Sequence, residues 1–161
     1  MISQRTQDIS SFIVMDVLER AHELERDGTP VIHLEVGEPD FDTPPCVKEA
    51  ACRALNEGHT HYTHSLGIPE LREAICEHYH RTYGVSVDPD QVVIASGTSP
   101  SMFAVFSVLL DPGDDVIISD PHYACYPNFI KFVQGVPVTV PVYEEDGFQF
   151  RPEAIAEKIT P

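Results

Sequence analysis

From residue 92 onward the chain alternates between two kinds of apolar run. VVIA (92–95), VIIS (116–119) and the segment 136–140 are short, rich in β-branched residues and apolar on both faces. Between them lie two longer stretches with helical spacing, about 101–110 and 128–134. A strand that is apolar on both faces must be covered on both sides, and helical crossovers between successive strands do this. The pattern therefore predicts an α/β fold whose parallel sheet is sandwiched by helices in three layers.

The region before residue 92 reads mainly as helix. Residues 12–25 carry Ile13, Val17, Leu18, Ala21 and Leu24 at helical spacing, with Ser10 and Ser11 as candidate caps and Asp27-Gly28 as the stop. Residues 31–36 read as a strand, followed by the turn-forming loop GEPDF. A second helix starts at Pro44 and Pro45 behind Thr43 as its cap and ends near Gly58. After the polar loop GHTHYTHSLG (58–67), a third helix begins at Pro69, places Leu71, Ala74, Ile75 and His78 on one side, and stops by Gly84. A last helix opens at 152–158, and Thr160-Pro161 reads as the approach to a further strand. A two- or three-strand sheet with bare edges is a poor stopping point, so a piece of a longer protein is expected. No internal repeat or low-complexity segment interrupts the chain.

The 161 residues and 42% hydrophobic content suit a globular domain, and no apolar stretch has the roughly 20 residues of a membrane span. The N-terminal residues lack the apolar core of a signal peptide, so a cytoplasmic location is expected. With 26 acidic and 10 basic residues the formal charge is −16, and no run of Lys or Arg offsets it. That disfavours nucleic acid and anionic membranes as partners. Cys46, Cys52, Cys76 and Cys125 form no C-x-x-C pair and are expected as reduced thiols.

In an open parallel sheet, ligands sit beyond the carboxyl ends of the strands. Ser96-Gly97-Thr98-Ser99 lies at one such end. Gly97 permits a tight turn, and the helix that follows presents N–H groups and a dipole that favour an anion. The hydroxyls of Thr98 and Ser99 add donors, so the segment reads either as a phosphate cup or as a plain helix cap. Tyr123, just past the next strand, reads either as a stacking surface for a flat ring or as ordinary packing.

Look-alike motifs fail on their details. An acid at Asp120 some twenty residues after Gly97 resembles dinucleotide-binding spacing, but G-x-G-x-x-G is absent. There is no G-K-[ST] of a nucleotide P-loop. His59, His61 and His64 lack a Cys or acidic partner at zinc-ligand spacing and are expected to be solvated. His78 and His80 read as helix-face residues, and the acid pairs Asp114-Asp115 and Glu144-Glu145 as solvated turns.

Four segments in order, HLEVGEPDFDTP (33–44), HYTHSLGIPELREAI (61–75), ASGTSPSMFAVFSVLLDPGDDVII (95–118) and DPHYACYP (120–127), resemble the N-terminal part of class I/II aminotransferases. These are fold-type-I enzymes dependent on pyridoxal 5'-phosphate and related to aspartate aminotransferase. The resemblance implies transfer of an amino group from an amino acid to a 2-oxo acid. It implies that Gly37 borders the substrate, that Gly97, Thr98 and Ser99 hold the cofactor phosphate, and that Tyr123 stacks on the pyridine ring. It implies that Tyr62 reaches the cofactor of the neighbouring subunit in a homodimer. Thr98 stands where family members often have a smaller residue, and Pro100 is unusual in the first helical turn. Residues 1–45 then correspond to an N-terminal arm, a helix and part of the small domain, and 46–161 to an incomplete large domain.

The family's catalytic lysine lies beyond residue 161, as do its arginine clamp and the acid that pairs with the pyridine nitrogen. Lys48, Lys131 and Lys158 match no family lysine motif, so the chain alone is expected to be inactive. A β-lyase of the same family, a non-catalytic interaction fragment and a nicotinamide dehydrogenase fragment are the alternatives.

Overall fold

The structure is a computed structural model and describes residues 2–3 and 5–160; the Pro161 end of the further strand read at 160–161 lies outside them. The elements in chain order are helices α1 (Arg5–Asp8), α2 (Ile13–Arg26), α3 (Pro45–Asn56), α4 (Pro69–Tyr83) and α5 (Thr98–Leu109), strand β1 (Asp115–Asp120), helix α6 (Tyr126–Phe132), strand β2 (Val136–Pro141) and helix α7 (Pro152–Ala156). Short 3-10 turns occur at Pro89–Gln91 and Glu144–Asp146. The residues group into two compact units, one made of the chain up to Gly37 together with everything from Ser99, the other of Glu38–Thr98.

The first unit is built around β1 and β2, which pair in parallel from Asp115↔Val136 to Asp120↔Pro141. Its core is small: Ile118 on β1, Val140 on β2, Val142 just after it and Ile130 on α6 are buried. Helix α6 packs on β2, and the Phe132 ring meets Phe103 of α5 edge-on with centroids 5.1 Å apart. This is the strand–helix–strand unit that the double-sided apolar runs predict.

Two expected strands do not form. Residues 31–36 and 92–95 belong to no β-ladder, although Val92 is extended. A strand exists only through a ladder partner, and neither segment has one among the described residues. Ile94 N–H donates to Leu66 O at 2.9 Å, a single bond that holds the extended chain without making a sheet.

Helix ends also differ from expectation. The N-cap of α2 is Phe12 and that of α3 is Pro44, neither with a side-chain cap. Ser11 Oγ instead donates to Asp16 at 2.5 Å, and Ser10 pairs with Asn128. Helix α4 stops as expected, at Gly84 in left-handed geometry with φ 68°.

The second unit is held by α4 and the turn that follows it. Arg72 is buried, and its Nη1 donates to Pro89 O at 2.9 Å and to Asp90 Oδ1 at 3.1 Å. This ties α4 to the capped turn at Asp88, whose carboxylate accepts from Asp90 N–H. All four cysteines are free. Among the described residues no helix is long and apolar enough to cross a membrane.

Candidate active site

Gly97 sits at φ 116°, backbone space that glycine enters without the steric cost of a Cβ. The turn delivers the chain into α5 at Thr98, three residues earlier than the spacing suggests. Thr98 and Ser99 are thus the first two helical residues, and Pro100 falls in the first turn, where a missing N–H breaks no intrahelical bond. Both hydroxyl residues are exposed. A Cβ placed on Gly97 would meet nothing within 4 Å, so there is room beside the turn. The first N–H groups of a helix have no acceptor within it. With two hydroxyls and the positive end of the helix dipole, they make a donor set suited to a phosphate.

Tyr123 follows β1 and is 52% exposed. Its ring is flanked edge-on by Phe12, with centroids 6.2 Å apart, and by Tyr126 at 5.3 Å. Two residues before Phe12 the chain is tied to α6: Ser10 N–H donates to Asn128 Oδ1 at 3.3 Å, and Asn128 Nδ2 donates back to Ser10 O at 2.9 Å. The Cys125 side chain, first by hydrogen bonding and then by its charge, holds the Tyr123 phenol protonated above its usual range, with burial and Tyr126 adding smaller pushes.

Gly37 lies in irregular, exposed chain after Glu35, with nothing within 4 Å of a Cβ placed there. Tyr62 is fully exposed in the loop between α3 and α4. Gly37, Ser99 and Tyr123 belong to the first unit, and Tyr62, Gly97 and Thr98 to the second. His59, His61 and His64 are exposed. Lys48 pairs with Asp42 at 3.0 Å on the surface.

Phe12, Asn128 and Cys125 have no sequence signal that links them to Tyr123. The Ser10–Asn128 pair spans 118 residues of chain, a contact that only the tertiary fold creates.

Residues 115–141 form a parallel strand–helix–strand unit, which places the chain among α/β proteins. The chain belongs to the class I and II aminotransferases, whose family model matches residues 29–161. It is 44% identical over 160 residues to a probable aspartate/prephenate aminotransferase of Thermus aquaticus, covering 99% of this chain and 42% of that protein. It is 47% identical over 138 residues to a (5-formylfuran-3-yl)methyl phosphate transaminase of Methanocaldococcus jannaschii, covering 86% of this chain and 37% of that one. The aspartate aminotransferase of Thermus thermophilus, solved with maleate, superposes with a TM-score of 0.95 at 43% identity, over 100% of this chain and 42% of that one. The fold is therefore that of the fold-type-I transferases. The chain spans about 42% of the length of the first of these relatives.

Proposed function

We propose that this chain forms the phosphate-binding and ring-stacking part of a pyridoxal-phosphate-dependent aminotransferase. The observation that carries the reading is the left-handed turn at Gly97 opening directly into a helix headed by Thr98 and Ser99. When bound, pyridoxal phosphate would supply a conjugated ring that withdraws electrons from the substrate's α-carbon.

The chain's own residues bind and orient. Thr98 and Ser99 would donate to the cofactor phosphate, and Tyr123 would lie against the ring and limit its tilt. Gly37 would let the substrate approach backbone closely. Tyr62 would serve the cofactor of a second subunit, which makes the working enzyme a homodimer. The catalytic lysine, the carboxylate clamp and the acid at the ring nitrogen would come from residues beyond 161. The names of the Thermus relatives favour an acidic amino donor. A cytoplasmic location completes the reading.

The test uses the product of the complete gene. Amino transfer from aspartate to a 2-oxo acid that requires added pyridoxal phosphate is expected. Removing both donors by T98V/S99A should weaken cofactor binding by about tenfold or more, since hydrogen bonds to a charged group contribute about 1.5–3 kcal/mol. Unchanged cofactor affinity in that variant would overturn the assignment of the cup. Release of ammonia and a 2-oxo acid without an amino acceptor would favour a β-lyase instead.

A further inference from the structure

We infer that His22, Glu25 and His33 form a binding site for a divalent transition metal of the zinc class, built between α2 and the segment after it. His22 and Glu25 stand one helical turn apart, so their side chains share a face of α2. His33 reaches that face from the irregular chain beyond the helix. One ligand atom from each of the three lies within 4.8 Å of the others, close enough for side-chain rotation to bring all three to the roughly 2.1 Å that a zinc-class ion requires. The His22 and His33 rings have centroids 5.7 Å apart.

The arrangement around His33 is what separates this cluster from a chance surface grouping. Nδ1 of His33 lies 2.6 Å from Oε1 of Glu35 and Nε2 lies 2.9 Å from Oε1 of Glu25. The Glu35 side chain is only 10% exposed, so the carboxylate that holds Nδ1 is itself fixed. Metal-ligating histidines are oriented in this way, by a carboxylate on the nitrogen that does not touch the ion. With Nδ1 committed to Glu35, Nε2 is aimed at Glu25 and His22. On metal binding, any proton that Nε2 shares with Glu25 passes to solvent, Nε2 ligates the ion, and Glu25 turns its oxygen to it.

The donor set selects the ion. Two imidazoles and one carboxylate suit zinc and its neighbours, whereas calcium and magnesium favour all-oxygen shells. Three protein ligands leave a fourth position for water or another group. The chain's charge of −16 raises the local concentration of any cation. The site is independent of the cofactor reading, because none of its residues belongs to the proposed phosphate cup. A bound ion would fasten the segment leading to Gly37 onto α2.

The experiment is equilibrium dialysis of the chelator-stripped protein against zinc, with metal content measured per chain, repeated with cobalt for its visible spectrum. One zinc per chain is expected. H22Q and H33Q should each lower affinity by at least about tenfold, and E35Q by about 10- to 100-fold while touching no ligand. Among the described residues the His22 side chain makes no hydrogen bond, and circular dichroism of H22Q checks that the helix survives. The triple variant H59Q/H61Q/H64Q should bind as the wild type does. Binding below one zinc per chain, binding that survives H22Q, or loss that follows the loop histidines would overturn the proposal.

Discussion

The ring of Phe12 stands edge-on to that of Tyr123, with the centroids 6.2 Å apart and the planes inclined by 71°. A residue at the start of the chain therefore braces the aromatic proposed to stack on the cofactor. Aromatic pairs of this kind contribute about 0.5–1.5 kcal/mol beyond the area they bury. F12A in the complete enzyme should weaken pyridoxal phosphate binding by up to about tenfold, read by cofactor titration. F12L, which fills the space without the ring quadrupole, should recover part of the loss. An F12A enzyme with wild-type affinity would mean that Tyr123 needs no brace.

Gly97 offers a paired experiment with Gly113. Both are left-handed, at φ 116° and φ 97°, and a Cβ on either meets nothing within 4 Å. Alanine at each should cost about 1–2 kcal/mol of stability through backbone strain alone. Only G97A should also weaken cofactor binding, because only that turn aims the start of α5. Equal effects on cofactor affinity at both positions would count against the cup.

Arg72 holds the second unit together. Its side chain is 8% exposed and its two Nη1 contacts join α4 to the Pro89–Gln91 turn. R72A should destabilise by about 1.5–3 kcal/mol, the range for hydrogen bonds that involve a charged group. R72K keeps the charge but cannot reproduce the planar fork, and should fall between the two. Urea denaturation followed by circular dichroism gives both values.

Tyr123 supplies the pH test. Its ionisation is pushed up by the Cys125 side chain, first through hydrogen bonding and then through charge. The folded-state value lies above the unfolded one, so the neutral phenol stabilises the fold below the ordinary tyrosine value near 10. That contribution is lost as pH rises through the folded value. In an ultraviolet titration, the step removed by Y123F should move to lower pH in C125A. A step that stays in place would show that Cys125 is not the cause.

Much of the fold was legible because it rests on local pattern. The parallel strands near 116 and 136, the proline-headed starts of α3 and α4 and the stop at Gly84 all follow from residues within a few positions. The strands expected at 31–36 and 92–95 failed for the opposite reason. Ile94 and Val93 have the right composition, but a ladder needs a second strand that the described residues do not provide. The caps failed similarly: Ser10 has the chemistry of an N-cap, yet Asn128, far along the chain, captures it. For the site, the residue types at 97–99 and 123 could be read from motif order. The brace from Phe12, the thiol of Cys125 and the meeting of His33 with His22 depend on tertiary contacts that leave no periodic trace.

The sheet has two strands, with no further partner on either edge among the described residues, and apolar side chains such as Val108 and Leu109 of α5 are 83% and 70% exposed. Handled as a separate molecule, such a chain is a colloid whose dispersal rests on like-charge repulsion from its −16 surface. Salt at physiological strength shortens the reach of that repulsion to about 8 Å. Turbidity should therefore rise with added salt and as the solution approaches the isoelectric point near 4.6, with the α5 face and the strand edges as the sticking surfaces.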